Sequence, residues 1–142
     1  PKEMFTEKIG DRGTSSELLN NHKALLFSKE KNLMAFPVTV MEVKNKDKGI
    51  GTNTMPAYGS FTFQGAYIYN IDLTNGFNLK GKVTHINDEE YLKSGGGWYD
   101  SNKNVERILY INDDLYTVSK GMIKANDMSD LKQKGELVIP GE

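Results

Sequence analysis

The sequence contains an internal repeat, and this repeat limits the folds open to the chain more than any other feature does. In each copy a Gly opens a short apolar run and an Asp closes it, at Gly65 and Asp72 in the first copy and at Gly121 and Asp127 in the second. A Lys-Gly pair follows at a similar distance in both copies, as Lys80-Gly81 and Lys134-Gly135. Self-similarity of this kind indicates that one supersecondary unit occurs twice.

Each copy consists of four short runs rich in apolar, β-branched and aromatic residues, with Gly, Asn, Asp and Lys between them. Such runs with tight, turn-prone connections predict antiparallel strands. Two connections, 44–62 and 87–106, are longer and are predicted to be surface loops. The only helical segment expected is a brief turn after Ser15 or Ser16. The predicted strands are 23–28, 33–43, 63–73, 77–86, 107–112, 115–119, 122–126 and 131–139.

Four antiparallel strands repeated in tandem are typical of β-propeller blades, so the predicted fold is all-β, with two four-stranded blades of a partial propeller. We expect a lead-in at 1–22, a first blade at 23–86 with an insertion at 44–62, a Gly-rich inter-blade loop at 87–106 and a second blade at 107–142. Propellers close with about 4 to 8 blades, so two blades need partners. Further blades of a longer parent chain, or other copies of this one, would supply them; Pro1 in place of an initiating Met favours a fragment.

Charge and composition exclude several kinds of partner. The formal net charge is −1, which provides no broad positive field for a nucleic-acid backbone, so no nucleic-acid partner is expected. No apolar run reaches the roughly 20 residues that a membrane-spanning helix needs. The chain has no Cys, which excludes disulfides and thiolate metal sites, and no cofactor is expected apart from a possible calcium ion.

Several segments together resemble the secreted bacterial and archaeal proteins that have a C-terminal β-propeller distantly related to WD-40 repeats. This resemblance implies a propeller, an extracellular or cell-envelope location for the parent protein, and further blades before this segment. It implies no activity and no catalytic residues. The WD dipeptide itself is absent, because the single Trp, Trp98, precedes Tyr99. The matching segments are 9–14 with Ser16, 22–27, 33–38, 65–69 and 122–127.

The Gly-rich loop 87–106 carries the best candidates for ligand binding. Tyr91, Trp98 and Tyr99 lie on either side of three consecutive Gly residues, and aromatic rings on such a loop suit stacking on a sugar or a peptide. The alternative is that these rings pack the loop onto a blade.

Asp100, Asn102 and Asn104 place oxygen-bearing side chains at alternating positions, as in the first half of a calcium-binding loop. Val105 then stands where that loop requires Gly, and Ile111 where it requires Glu. A solvated Asn-rich turn is the alternative.

The basic side chains outside this loop have mainly structural interpretations. Arg12, one of two Arg residues, is a candidate for binding an anionic ligand, but holding its own loop against a blade is the commoner role for such a residue. His22 and His85 lack the spacing of metal ligands, and we predict hydrogen-bonded structural roles for both.

The leading hypothesis for function is a non-catalytic binding or scaffold module that recognises a protein or carbohydrate ligand through its two long loops. The alternative is that the chain forms part of an extracellular hydrolase or lyase that further blades complete, because Asp88, Glu89 and Glu90 supply carboxylates to one loop. Facing carboxylates with raised pKa values would favour the enzyme.

Overall fold

The computed structural model describes residues 2–44, 58–94 and 101–141 and contains two four-stranded antiparallel sheets in these ranges. In each sheet the strands lie side by side in their sequence order, as expected for a propeller blade. The prediction of two blades of four strands is therefore confirmed. The first sheet consists of β1 (Leu26–Ser28), β2 (Leu33–Glu42), β3 (Ser60–Asp72) and β4 (Gly76–Val83), and the second of β5 (Arg107–Ile111), β6 (Asp114–Val118), β7 (Met122–Asp127) and β8 (Gln133–Val138).

The structure corrects the sequence predictions at several element ends. His22–Ala24 forms a 3-10 helix where a strand was expected, because the Asn21 side chain accepts a hydrogen bond from the Lys23 N–H and starts a turn there. A six-residue helix, α1 (Asp88–Lys93), occupies part of a segment predicted to be a loop without helix. Strand β3 begins inside the predicted insertion, and β4 ends three residues early. The helical turn predicted after Ser16 is confirmed as a 3-10 helix at Glu17–Leu19.

The repeated Asp residues have the same function in both blades. Asp72 Oδ1 accepts hydrogen bonds from the N–H groups of Thr74 and Asn75, and Asp127 Oδ1 accepts from Ser129. These contacts lower the pKa of both carboxyls. Each Asp therefore stabilises the turn between the third and fourth strands of its blade.

The main hydrophobic core lies between the two sheets. One face of the first sheet packs against one face of the second, and a residue of each sheet at the centre, Ile68 and Leu115, is fully buried. A second cluster covers the opposite face of the first sheet, where Phe36 and Tyr69 stack with their ring centroids 5.9 Å apart. The buried members of the core between the sheets are Leu33, Ala35, Ala66, Ile68, Val83, Val105, Ile108, Leu115 and Met128.

The N-terminal segment contacts the outer face of the first sheet, which is the face turned away from the second sheet. Ile9 packs against its hydrophobic cluster, and a Cβ atom added at Gly76 would lie 2.6 Å from the Phe5 ring. Burial, together with the nearby charge of Glu7, raises the pKa of Tyr69 on this face to about 12. This segment therefore covers part of the surface where a preceding blade would pack.

Polar contacts fix the second blade against the first. The buried His85 ring lies between two hydroxyls of the second blade, with Nδ1 2.8 Å from Ser119 Oγ and Nε2 2.8 Å from Thr117 Oγ1. The Lys124 ammonium donates to the Thr84 carbonyl at 2.9 Å. The predicted structural role of His85 is confirmed, whereas His22 is exposed on its 3-10 helix.

Candidate functional site

The candidate site lies at one end of the two sheets. Because neighbouring strands are antiparallel, β2 and β4 end where β3 and β5 begin, so both long connections leave the sheets at this end. The loop 11–14 is attached here as well, since the Asp11 N–H donates to the Met41 carbonyl and Asp11 Oδ2 accepts from the Val43 N–H. Long loops at one end of a rigid β scaffold are a common location for binding residues.

A cleft of about 360 Å³ lies beside helix α1. Tyr91 lines it with 36% of the residue exposed, and the Tyr91 and Phe61 ring centroids are 5.8 Å apart. Asp88, an exposed acidic residue at the first position of the helix, also lines the cleft. The cleft therefore combines an accessible aromatic ring with a polar group, a combination that suits a flat, hydroxyl-bearing ligand.

Helix α1 forms at this place because its first turn is capped. Asn87 Oδ1 accepts from the Glu90 N–H at 2.8 Å, and the Glu90 carboxylate accepts from the Asn87 N–H at 3.0 Å, which completes a capping box. Three acidic residues in the first turn and Lys93 in the last complement the helix dipole. The Asn-x-x-Glu spacing of Asn87 and Glu90 is visible in the sequence and could have indicated this helix, which the sequence prediction missed.

Replacing Asn87 by Ala should loosen helix α1, because the mutation leaves the Glu90 N–H without its capping acceptor. We expect Asn87→Ala to lower the free energy of unfolding by about 1 kcal/mol. Thermal unfolding followed by circular dichroism measures this loss. Asn87→Asp, which retains a capping oxygen, should stay close to the wild type; an equal loss in both variants would show that the cap is not the cause.

Arg12 and Tyr91 are brought to the same end of the first blade. The Arg12 guanidinium carbon lies 4.1 Å from the Tyr58 ring centroid, and the Arg12 carbonyl accepts from the Gly59 N–H. Met41, whose backbone anchors this loop, belongs to a cluster that includes Phe61, the ring beside Tyr91. These contacts fit the loop-holding role considered for Arg12, and its binding of an anion stays a prediction.

A second cleft, polar and about 290 Å³ in volume, lies between the two blades. Ser15, Glu17, Glu106 and Lys120 contribute to its lining, and Glu106 and Lys120 approach to 3.8 Å. The buried Gln64 belongs to the lining of both clefts. No local sequence pattern indicates this cleft, because its walls come from segments far apart in the chain.

Two of the three acidic residues of α1, Glu89 and Glu90, form ion pairs with Lys side chains. Glu89 forms an ion pair with Lys93 at 2.9 Å, and Glu90 forms one with Lys103 at 2.8 Å. Partial burial acts to raise the pKa of Glu90, but the hydrogen bonds from Lys103 and from the Asn87 N–H, together with the charges of Lys103 and Lys93, outweigh it, so this pKa is lowered. A general acid needs the opposite shift, and these contacts give the hydrolase alternative no support.

Several predicted site residues lie outside the described ranges, namely Trp98, Tyr99 and Asp100. Of the remaining calcium candidates, Asn102 is exposed and its carbonyl accepts from the Gly121 N–H, while the Asn104 N–H donates to the Ser101 carbonyl. Within the described ranges, no three His, Asp or Glu side chains form a group suited to a metal ion. Calcium binding at this loop therefore stays a prediction.

Two sheets with identical strand order and a shared core define a partial β-propeller. The chain belongs to the β-propeller domain family, whose model matches residues 1–131. Comparisons with curated proteins and with solved structures find no significant match. Within residues 2–44, 58–94 and 101–141, no helix has the length and apolar character needed to cross a membrane.

Proposed function

We propose that this chain is a non-catalytic binding module of an extracellular or cell-envelope β-propeller protein, and that it recognises a carbohydrate at the Tyr91 cleft. The observation that carries the proposal is the partly exposed Tyr91 ring, held against Phe61 beside the Asp88 carboxylate. An aromatic face stacks on the apolar face of a sugar ring, and a carboxylate accepts hydrogen bonds from its hydroxyls. A protein ligand that inserts a side chain into the same cleft is the alternative.

The extracellular location and the distant relation to WD-40 repeats belong to the same proposal. Their support is the resemblance of the segments around Asp11, His22 and Gly65 to secreted propeller proteins, together with the family membership of the chain.

The experiment measures binding of the 142-residue chain to a panel of soluble oligosaccharides, including cellohexaose, chitohexaose and peptidoglycan fragments, by isothermal titration calorimetry. For each oligosaccharide that binds the wild type, we expect Tyr91→Ala to raise the dissociation constant at least tenfold, because the stacking surface is lost. Leu92→Ala is the matched control, since Leu92 is 76% exposed on the same helix and does not line the cleft.

Two outcomes would contradict carbohydrate recognition at this cleft. If no oligosaccharide binds, or if Tyr91→Ala binds as the wild type does, the carbohydrate proposal is wrong. Trp98→Ala and Tyr99→Ala, measured with the same probes, test whether the rest of the predicted aromatic set takes part.

A further inference from the structure

The polar cleft between the blades lies where the second blade no longer covers the first. Strand β2 has ten residues, whereas β5, which contacts it, has five. Leu33 and Ala35 of β2 lie in the core between the sheets, while Pro37 and Thr39, at the next alternate positions, line the cleft. Both walls of the cleft therefore belong to this chain and to its two neighbouring blades.

Thr39 contributes a buried hydroxyl to this cleft. Thr39 lies opposite Gln64 in the pairing of β2 with β3, so the two side chains share a face of the sheet. That face is turned toward the second blade, because the Gln64 side chain forms hydrogen bonds with Val105. Thr39 is 9% exposed, and its hydroxyl forms no hydrogen bond within residues 2–44, 58–94 and 101–141. Because buried polar groups are usually hydrogen-bonded, the cleft suits a ligand that supplies the partner.

The 3-10 helix at Glu17–Leu19 forms one wall of the cleft, and two backbone hydrogen bonds fix the segment before it to β2. The Ser15 N–H donates to the Thr39 carbonyl at 3.0 Å, and the Thr39 N–H donates to the Ser15 carbonyl at 2.8 Å. Glu17 is exposed and lines the cleft. Its carboxylate forms no ion pair with any residue that the structure describes, so it can accept the ammonium group of a ligand.

Lys120 lies on the opposite wall, in the turn between β6 and β7. Its Nζ is 3.8 Å from Glu106 Oε1, which is beyond hydrogen-bond distance. Among the described residues none accepts a hydrogen bond from Lys120, so its three N–H donors are available to the carboxylate of a ligand. The cleft thus presents a carboxylate on one wall and an ammonium group on the other.

We propose that the polar cleft binds a free α-amino acid. The ligand's ammonium group contacts Glu17, its carboxylate contacts Lys120, and the Thr39 hydroxyl forms a hydrogen bond with one of these two ligand groups. An α-amino acid carries both charges on one carbon, so it can bind both walls of a small cleft at once. The volume of about 290 Å³ is at the lower end of the range for small-molecule sites, as a ligand of this size requires.

The lining of the polar cleft favours an amino acid over other small ligands. The described residues contribute no aromatic ring to it, so a sugar has no stacking surface there. A simple amine would leave Lys120 without a partner, and a simple carboxylate would leave Glu17 without one. Tyr91 lines only the other cleft, so this proposal does not depend on carbohydrate binding there.

The experiment is an NMR titration of the 15N-labelled 142-residue chain with each of the common L-amino acids. We expect at least one of them to shift the amide resonances of cleft residues such as Ser15 and Ser101. Thr39→Val removes the hydroxyl at little change in size and should raise the dissociation constant about fivefold. Thr74→Val is the matched control, since Thr74 is exposed in the turn after β3 and lines neither cleft.

Analogues of the bound amino acid test which wall holds which charge. With the wild type, N-acetylation of the amine and conversion of the carboxylate to an amide should each raise the dissociation constant at least tenfold. In Glu17→Gln the effect of N-acetylation should be largely lost, and in Lys120→Gln the effect of the amide should be. Glu30→Gln and Lys132→Gln are the matched controls, because both residues are exposed and line neither cleft.

Three results would each overturn the proposal. The first is that no amino acid shifts the cleft resonances at concentrations up to about 10 mM. The second is that Thr39→Val binds as tightly as the wild type. The third is that Glu17→Gln and Lys120→Gln keep the full wild-type discrimination against both analogues; these two positions are exposed, so the substitutions leave the fold intact. Oligosaccharide binding measured with Tyr91→Ala is unaffected by any of these results.

Discussion

Lowering the pH from 7 to 4 is expected to reduce the free energy of unfolding by about 3 kcal/mol through His85 alone. Burial, together with the charges of Lys124 and Lys103, lowers the pKa of this imidazole from 6.5 to about 4. The unfolded chain therefore takes up a proton on His85 near pH 6.5, and the folded chain does so only near pH 4. The free energy of unfolding therefore falls as the pH drops from about 6.5 to 4. Above pH 6.5 His85 is neutral in both states, so its protonation no longer changes the stability.

The hydrogen bonds of His85 explain why the neutral ring is preferred. The Ser119 hydroxyl donates to the Met122 carbonyl at 3.2 Å, so Ser119 Oγ accepts from the Nδ1–H of His85. Nε2 is then left to accept from the Thr117 hydroxyl. Protonation of Nε2 would place two donors against each other in a buried contact between the blades.

Urea unfolding of the wild type and of His85→Gln over pH 4 to 8 measures this effect. The difference in unfolding free energy between the two should be constant above pH 6.5 and should shrink as the pH falls toward 4. His22→Gln is the control, because it removes the other imidazole from an exposed position. Equal changes in pH dependence in both variants would contradict the assignment to His85.

The strands were predictable from the sequence because strand formation is governed by local patterns. Residues that alternate faces and turn residues such as Asp72 and Asp127 act over a few positions, and both are readable without coordinates. Helix α1 was missed because six residues are too few to show helical periodicity, although the Asn87 and Glu90 capping pair was present.

The site was less predictable because its walls come from residues far apart in the chain. Tyr91 was identified as an aromatic candidate, but its packing on Phe61 depends on how the first blade folds. The polar cleft requires Gln64 to meet residues of the second blade. The Lys-Gly pair was also visible in the sequence, but only the structure shows that the Leu131 side chain packs directly against Gly81.

Replacing Gln64 by Leu is expected to lower the free energy of unfolding by about 3 kcal/mol. The Gln64 side chain is 4% exposed, and its Oε1 accepts from the Val105 N–H at 2.9 Å while its Nε2 donates to the Val105 carbonyl at 3.3 Å. Leu has a similar volume but leaves both backbone groups of the buried Val105 without this partner, and each such group costs about 1 to 3 kcal/mol.

The comparison that isolates this effect is Gln133→Leu, the same substitution at an exposed residue of β8. Urea unfolding at pH 7 should show a large loss for Gln64→Leu and almost none for Gln133→Leu. Because both hydrogen bonds of Gln64 hold Val105 in the segment leading into β5, this segment should open more readily in Gln64→Leu, and amide hydrogen exchange at Val105 should increase. A Gln64→Leu chain within 1 kcal/mol of the wild type, with Val105 still protected, would mean that other contacts hold the second blade in place.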